Sequence, residues 1–316
     1  MAGMGAGEMK IAIMAAGAVG AYYGARMAAA GHEVFFIARG ANLEAIKKNG
    51  LAIESVNGNL HLPKPNVTGD PKTVGPVDIV LFAVKLWDTE ASAELTRPMA
   101  GPDTRVITLQ NGVDSVERVA PILGARQTVG GATYIVTVIE RPGVIKQTNK
   151  NPTLIFGPSD GKPDAVLQRF TDAAKAAGLD VTLTDKIDTV LWQKFILLVA
   201  TSGATAVTRS TLGQILGDPD TRALFESLMQ ETLAVGRAKG VALDPGFVAD
   251  RMNFATNVMP GSTKASMAND LDRGNRLELD WLAGKVSQLG KQYKVPTPVN
   301  DTVYAALKLH RLGTPR

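Results

Sequence analysis

The stretch from Ile11 to Gly24, IAIMAAGAVGAYYG, constrains the fold more than any other. Lys10–Met14 is a short apolar strand, residues 18–30 are small helix formers, Gly31 ends that helix, and residues 33–38 form a second strand. Strand, glycine-bearing turn, helix and strand in that order make a βαβ unit, whose two strands lie parallel with the helix across one face. A chain that begins this way is built as a helix-covered, mainly parallel sheet.

The rest of the first half continues that pattern. Apolar strands are expected at residues 77–85 (VDIVLFAVK) and 104–112 (TRVITLQNG), with the helical TEASAELTRPMA between them. Residues 128–156 turn β-rich, and RPG and NP breaks suggest antiparallel strands closing the same sheet. A helix at 164–177 and a strand at 180–184 end this half. Beyond them the spacing predicts helices only, at 187–199, 219–239, 245–257, 278–293 and 298–309. A domain boundary is therefore expected near residue 184. The fold class is α/β, with a doubly wound, mainly parallel N-terminal domain and an all-helical C-terminal domain.

The turn itself carries chemistry. In a dinucleotide-binding fingerprint the first glycine makes the tight turn, the second lets backbone approach the pyrophosphate, and the third lets helix pack on strand. Here those positions hold Ala15, Gly17 and Gly20, so the loop Ala15, Ala16, Gly17, Ala18, Val19 and Gly20 is the candidate phosphate cradle. The methyl of Ala15 is tolerable only at ordinary negative φ. The second strand runs out into Arg39, where an acidic residue would mark NAD. A guanidinium there suits a ribose 2′-phosphate and favours NADPH/NADP+, unless Arg39 is only a solvated loop arginine. Lys85 and Asn111 follow two further strands and belong to the same rim, although either also reads as a surface lysine or an Asn-Gly turn. The earlier GMGAG has no strand before it and is read as part of a disordered tail, residues 1–8.

Composition narrows the function classes. The sequence has 316 residues and no cysteine, so disulfides, thiolate metal sites and a cysteine nucleophile are excluded and a cytoplasmic location is the default. The net charge of +4 is spread along the chain, which gives no reason to expect nucleic acid. The longest apolar run, Phe195 to Ala200, is too short to span a bilayer, so no membrane partner is expected. His32, His61 and His310 are scattered without ligand spacing, and no metal site is expected. His32, next to Gly31, reads as a local helix cap.

Several segments together resemble the ketopantoate reductase (2-dehydropantoate 2-reductase) family: AGAVGAYYGARMAAAGHEVFFIAR, AVK followed by Thr89, QNGV, LWQKF and SMANDLDRGNRLELDWLAG. The resemblance implies a Rossmann domain at 1–184 and a helical substrate and dimerisation domain at 185–316, similar to that of the 6-phosphogluconate dehydrogenases, with the active site in the cleft between them. It implies NADPH-dependent reduction of a 2-oxo acid, 2-dehydropantoate above all, by a homodimer. Lys194 in LWQKF matches the catalytic lysine. Glu278 matches its partner carboxylate and a cofactor contact, Ser266 the holder of the substrate carboxylate, and Asn111 a residue shared by substrate and cofactor.

Spacing alone leaves other readings open: Lys194 on a solvated helix turn, Glu278 paired with Arg276 or Lys285, Ser266 as a helix N-cap. Two positions depart from the family pattern. Four and eight residues beyond Lys194, on the same helix face, Leu198 and Ser202 replace substrate-binding asparagines. Leucine offers no amide, so a branched or aromatic 2-oxo acid lacking ketopantoate's hydroxyl is an alternative substrate. A further alternative is an NADP-binding sensor without catalysis.

Overall fold

The computed structural model describes residues 7–314. The expected tail lies mostly outside the described residues, and Gly7 and Glu8 are exposed. The chain divides into two compact units, the first ending at Ile187 and the second starting at Asp188.

In the first unit β1 (Lys10–Met14), α1 (Ala18–Ala29) and β2 (Glu33–Ile37) form the βαβ unit read from the sequence. Then come α2 (Gly40–Asn49), β3 (Leu51–Ser55), β4 (Leu60–Leu62), β5 (Asn66–Thr68), β6 (Ile79–Phe82), α3 (Thr89–Thr96), β7 (Arg105–Thr108), α4 (Ser115–Leu123), β8 (Thr128–Tyr134), β9 (Thr137–Arg141), β10 (Val144–Gln147), β11 (Thr153–Gly157), α5 (Ala165–Ala176) and β12 (Asp180–Leu183). The main sheet has eight strands in the order β12-β11-β8-β7-β6-β1-β2-β5. All its pairings are parallel except β11 with β8. From β1 the chain moves outward through β2 on one side and later through β6 and β7 on the other. The C-terminal ends of β1 and β6 therefore form the switch point at which such sheets bind ligands.

The expectation that residues 128–156 close this one sheet needs correction. Only β8 and β11 join it, while β9 and β10 pair with β3 and β4 in a separate four-stranded sheet of order β4-β3-β10-β9. Alternating apolar residues identify a strand but not its partner, and β3, β4 and β5 are too short or too polar to stand out in the sequence.

Glycines set the approach of α1 to the sheet. A Cβ on Gly20 would meet Ile13 Cγ2 at 2.6 Å and Ala15 O at 2.7 Å, and one on Gly24 would meet Ile13 Cγ1 at 2.6 Å and Phe36 Cε1 at 2.8 Å. The helix ends with Gly31 at φ 92° and the His32 amide bonded to Met27 O at 3.2 Å. His32 thus caps through its backbone, while its ring Nδ1 accepts from the Met9 amide at 3.3 Å. A buried ion pair closes the far end of the sheet. Arg105, 3% exposed at its side chain, meets Asp164 at 2.7 Å, and Asp164 also caps α5 by accepting from the Val166 and Leu167 amides.

The described residues of the second unit form helices joined by loops, with no strand: α6 (Ile187–Thr208), α7 (Leu212–Gly217), α8 (Pro219–Ala238), α9 (Phe247–Asn257), α10 (Ser266–Asp272), α11 (Ala283–Tyr293) and α12 (Pro298–Leu307). Helix α6 runs past the expected end at 199, so Lys194, Leu198 and Ser202 lie on one continuous helix. It is long and apolar enough to cross a membrane, yet 67% of its most apolar window is buried inside the protein, as befits a core helix. Trp192 on α6 packs where Gly236 of α8 leaves room; a Cβ there would meet its ring at 2.6 Å. Glu231 of α8 accepts from the Val299 and Asn300 amides at 2.8 and 2.9 Å, capping the first turn of α12. The expected helix at 278–293 is broken. A 3-10 turn, Leu279–Trp281, precedes α11, so Glu278 sits before that turn and not on a long helix face.

Candidate active site

In the first unit the turn after β1 forms a cradle. The Ala83 amide bonds to Met14 O, the Ala16 amide to Ile37 O at 2.7 Å, and Asn42 Nδ2 donates to Ala16 O at 2.9 Å. Asn42 Oδ1 accepts from the Gly143 amide at 2.9 Å, fixing the loop to the second sheet. Arg209 and Lys294 are the only non-glycine residues with positive φ among those described, so Ala15 keeps the negative φ that its methyl requires. Gly17 is the N-cap of α1, and no protein atom lies within 4 Å of a Cβ built on it. Packing inside the protein therefore does not demand glycine at 17, and the open space lies beside the first helical turn. That turn has no acidic residue and no side-chain cap, leaving the amides of Ala18, Val19 and Gly20 as unsatisfied donors. Such a helix start suits a pyrophosphate.

The rim around this turn is braced. Gln110, buried after β7, donates to Val84 O at 3.1 Å and to Thr89 Oγ1 at 2.8 Å, and Thr89 in turn donates to Leu86 O at 2.8 Å. Arg118 donates to Leu86 O at 2.8 Å and pairs with Glu90. This holds the segment carrying Lys85, which is exposed with its ammonium 5.5 Å from the centre of the Trp87 ring. Asn111 is half-buried beside Gly112, whose φ is 90°. Arg39 is 76% exposed at the N-cap of α2 and pairs with Asp88 at 3.5 Å. Sequence reasoning missed Asn42, Gln110 and Asp88; only the QNGV segment hinted at one of them.

The second unit brings Lys194 and Glu278 together. Lys194 is half-buried on α6, and burial pulls its ammonium down from the ordinary 10.5 to about 8, while the Glu278 carboxylate pushes it back up. Glu278 is 9% exposed. Its segment is pinned by the Leu277 amide to Arg311 O at 2.9 Å, and the turn that follows is pinned by Tyr304 donating to Asp280 at 2.9 Å. Ser266 is exposed as the first residue of α10; the N-cap position belongs to Ala265, so the N-cap reading of Ser266 is corrected. Thr205 of α6 accepts from the Ala265 amide at 3.3 Å, tethering the start of α10 to the helix that carries Lys194. Leu198 is half-buried, and Ser202 is 1% exposed with no partner for its Oγ among the described residues.

A mainly parallel sheet with an open helix start at its switch point, followed by a helical unit holding a lysine beside a carboxylate, has the features of an oxidoreductase of the dinucleotide-binding class. Residues 11–161 match the ketopantoate reductase PanE/ApbA family and residues 186–311 match the ketopantoate reductase PanE/ApbA C-terminal family. The chain belongs to the ketopantoate reductase family. A 2-dehydropantoate 2-reductase of Mesorhizobium japonicum is 31% identical over 321 residues, covering 95% of this chain and 97% of that protein. The crystal structure of a PanE/ApbA family ketopantoate reductase from Ralstonia eutropha JMP134 is 32% identical with a TM-score of 0.87, covering 96% of this chain and 98% of that one. A ternary structure of D-mandelate dehydrogenase with NADH and anilino(oxo)acetate has the same fold, with a TM-score of 0.87 at 21% identity over 96% of this chain and 98% of that one.

Proposed function

We propose that the protein reduces 2-dehydropantoate to (R)-pantoate with NADPH, as in pantothenate biosynthesis. The observation that carries this reading is the Lys194 ammonium, tuned to about 8 beside the Glu278 carboxylate, in a chain of this family. Reduction of a 2-oxo acid needs a hydride donor, a proton donor at the ketone oxygen and fixed donors for the carboxylate. Bound NADPH supplies the hydride. Lys194 stabilises the oxygen as it becomes negative and gives it a proton, ending as the neutral amine. A lysine that titrates near 8 gives up that proton far more readily than one at 10.5. Glu278 balances the charge of Lys194, and the family resemblance gives Glu278 a cofactor contact, Ser266 the substrate carboxylate and Asn111 a contact to both substrate and cofactor. Ala15 to Gly20 cradle the pyrophosphate, Arg39 takes the 2′-phosphate, and Lys85 and Asn111 line the cofactor rim.

Leu198 favours a second reading. A half-buried leucine stands where the family uses an amide, and a substrate hydroxyl would lose its partner there. A branched or aromatic 2-oxo acid would lose nothing. In either case the enzyme is cytoplasmic and homodimeric, the first supported by the absence of cysteine and the second by the family resemblance. The test of roles is Lys194→Ala: NADPH affinity should hold while kcat falls by about 10²- to 10⁴-fold. Undiminished turnover in that variant would overturn the assignment.

A further inference from the structure

The β1–α1 turn is flanked by two segments that meet through their side chains. β6 and β2 lie on either side of β1, so the chain leaving each of them borders the turn. Arg39 comes from one and Asp88 from the other, and guanidinium and carboxylate stand 3.5 Å apart. The side chains are 76% and 38% exposed, and a pair so open to water adds little to stability. Its effect falls instead on whatever anion Arg39 receives.

We propose that Asp88 is a specificity-determining residue that limits the preference for NADPH over NADH, an inference that rests on the reading of Arg39 as the 2′-phosphate site. The two partners are held unequally. Asp88 is fixed in a 3-10 turn by its amide bonded to Lys85 O at 2.9 Å, and the next residue, Thr89, is buried and bonded to Gln110. Arg39 reaches out on a long solvated stem. When a 2′-phosphate arrives, the guanidinium can turn toward it, but the carboxylate stays close by.

Two costs then oppose NADPH alone. The phosphate must take Arg39 from Asp88, and it must sit near a third negative charge. Across several ångströms of water-exposed surface, such repulsion amounts to roughly a three- to tenfold loss of affinity, shrinking as salt is added. NADH has no 2′-phosphate and meets neither cost. With NADH bound, Asp88 still neutralises Arg39, so the guanidinium is not left unpaired.

Calorimetric titration of the full chain with NADPH and with NADH tests this, comparing wild type with Asp88→Asn and Asp88→Glu. Asp88→Asn should tighten NADPH by about three- to tenfold, leave NADH within about twofold, and lose most of that gain at high salt. Asp88→Glu, which keeps the charge, should retain the wild-type ratio. A purely structural role would move both cofactors together and lower the melting temperature. That result, an unchanged ratio, or weaker NADPH binding in Asp88→Asn would overturn the inference. Wild-type protein that binds neither cofactor would bring down the dinucleotide reading itself, whereas wild-type binding with an unaltered ratio strikes only at Asp88.

Discussion

Burial pulls the Lys194 ammonium down to about 8 and the Glu278 carboxylate opposes that pull, so the two side chains share one electrostatic balance. As proton donor Lys194 must be charged, so kcat should fall as pH rises through about 8. Glu278→Gln removes the opposing influence and should move that fall to lower pH. Stability should run the other way. Because the folded pKa lies below the unfolded 10.5, the cost of burying the charge is complete below about 8 and is relieved between about 8 and 10.5. Rate profiles and thermal melts over the same pH range check both slopes.

Gly17 and Gly20 should respond differently to the same methyl. Gly17→Ala meets no protein atom within 4 Å and keeps an accessible φ of −78°, so stability should hold while dinucleotide affinity drops. Gly20→Ala drives a Cβ to 2.6 Å from Ile13 and 2.7 Å from the Ala15 carbonyl, and should cost about 1–3 kcal/mol of stability as well as binding. Denaturant melts together with cofactor titration separate the two outcomes.

The Arg105–Asp164 pair should govern acid stability of the first unit. Burial alone would raise the Asp164 carboxyl, but the Leu167 amide, the Arg105 guanidinium and the Val166 amide together hold it below the usual carboxylate range. Its contribution is present above the unfolded carboxylate pKa and is lost as pH falls through the lowered folded value. Asp164→Ala strips an N-cap and leaves Arg105 buried without its charge partner, a loss of about 3–5 kcal/mol. Urea melts at neutral and acid pH should show the variant's deficit shrinking as the wild type loses its own carboxylate.

The sequence made some of this legible and hid the rest for identifiable reasons. The βαβ unit around Gly17 and Gly20 could be read because each glycine does a separable job and because helix and strand periods differ. The second sheet could not, because nothing in the alternation of β10 says that it pairs with β3 rather than β8. Lys194 looks on spacing like a solvated helix residue; its pKa is lowered by burial and partly restored by Glu278, a residue far along the chain, and neither shows in the spacing. Asp88 and Arg39 share no period, and only the strand order brings them to one turn. Thr205, which tethers the start of α10, reads in the sequence as one more small residue of an apolar helix.

The most direct measurement is consumption of NADPH by the purified protein with a panel of 2-oxo acids, 2-dehydropantoate alongside branched and aromatic members, in wild type and Leu198→Asn. One 2-hydroxy acid should form per NADPH oxidised, and Leu198→Asn should shift kcat/KM toward 2-dehydropantoate by about tenfold or more, since a restored amide can pair with the substrate hydroxyl. No oxidation of NADPH with any member of the panel would contradict the account.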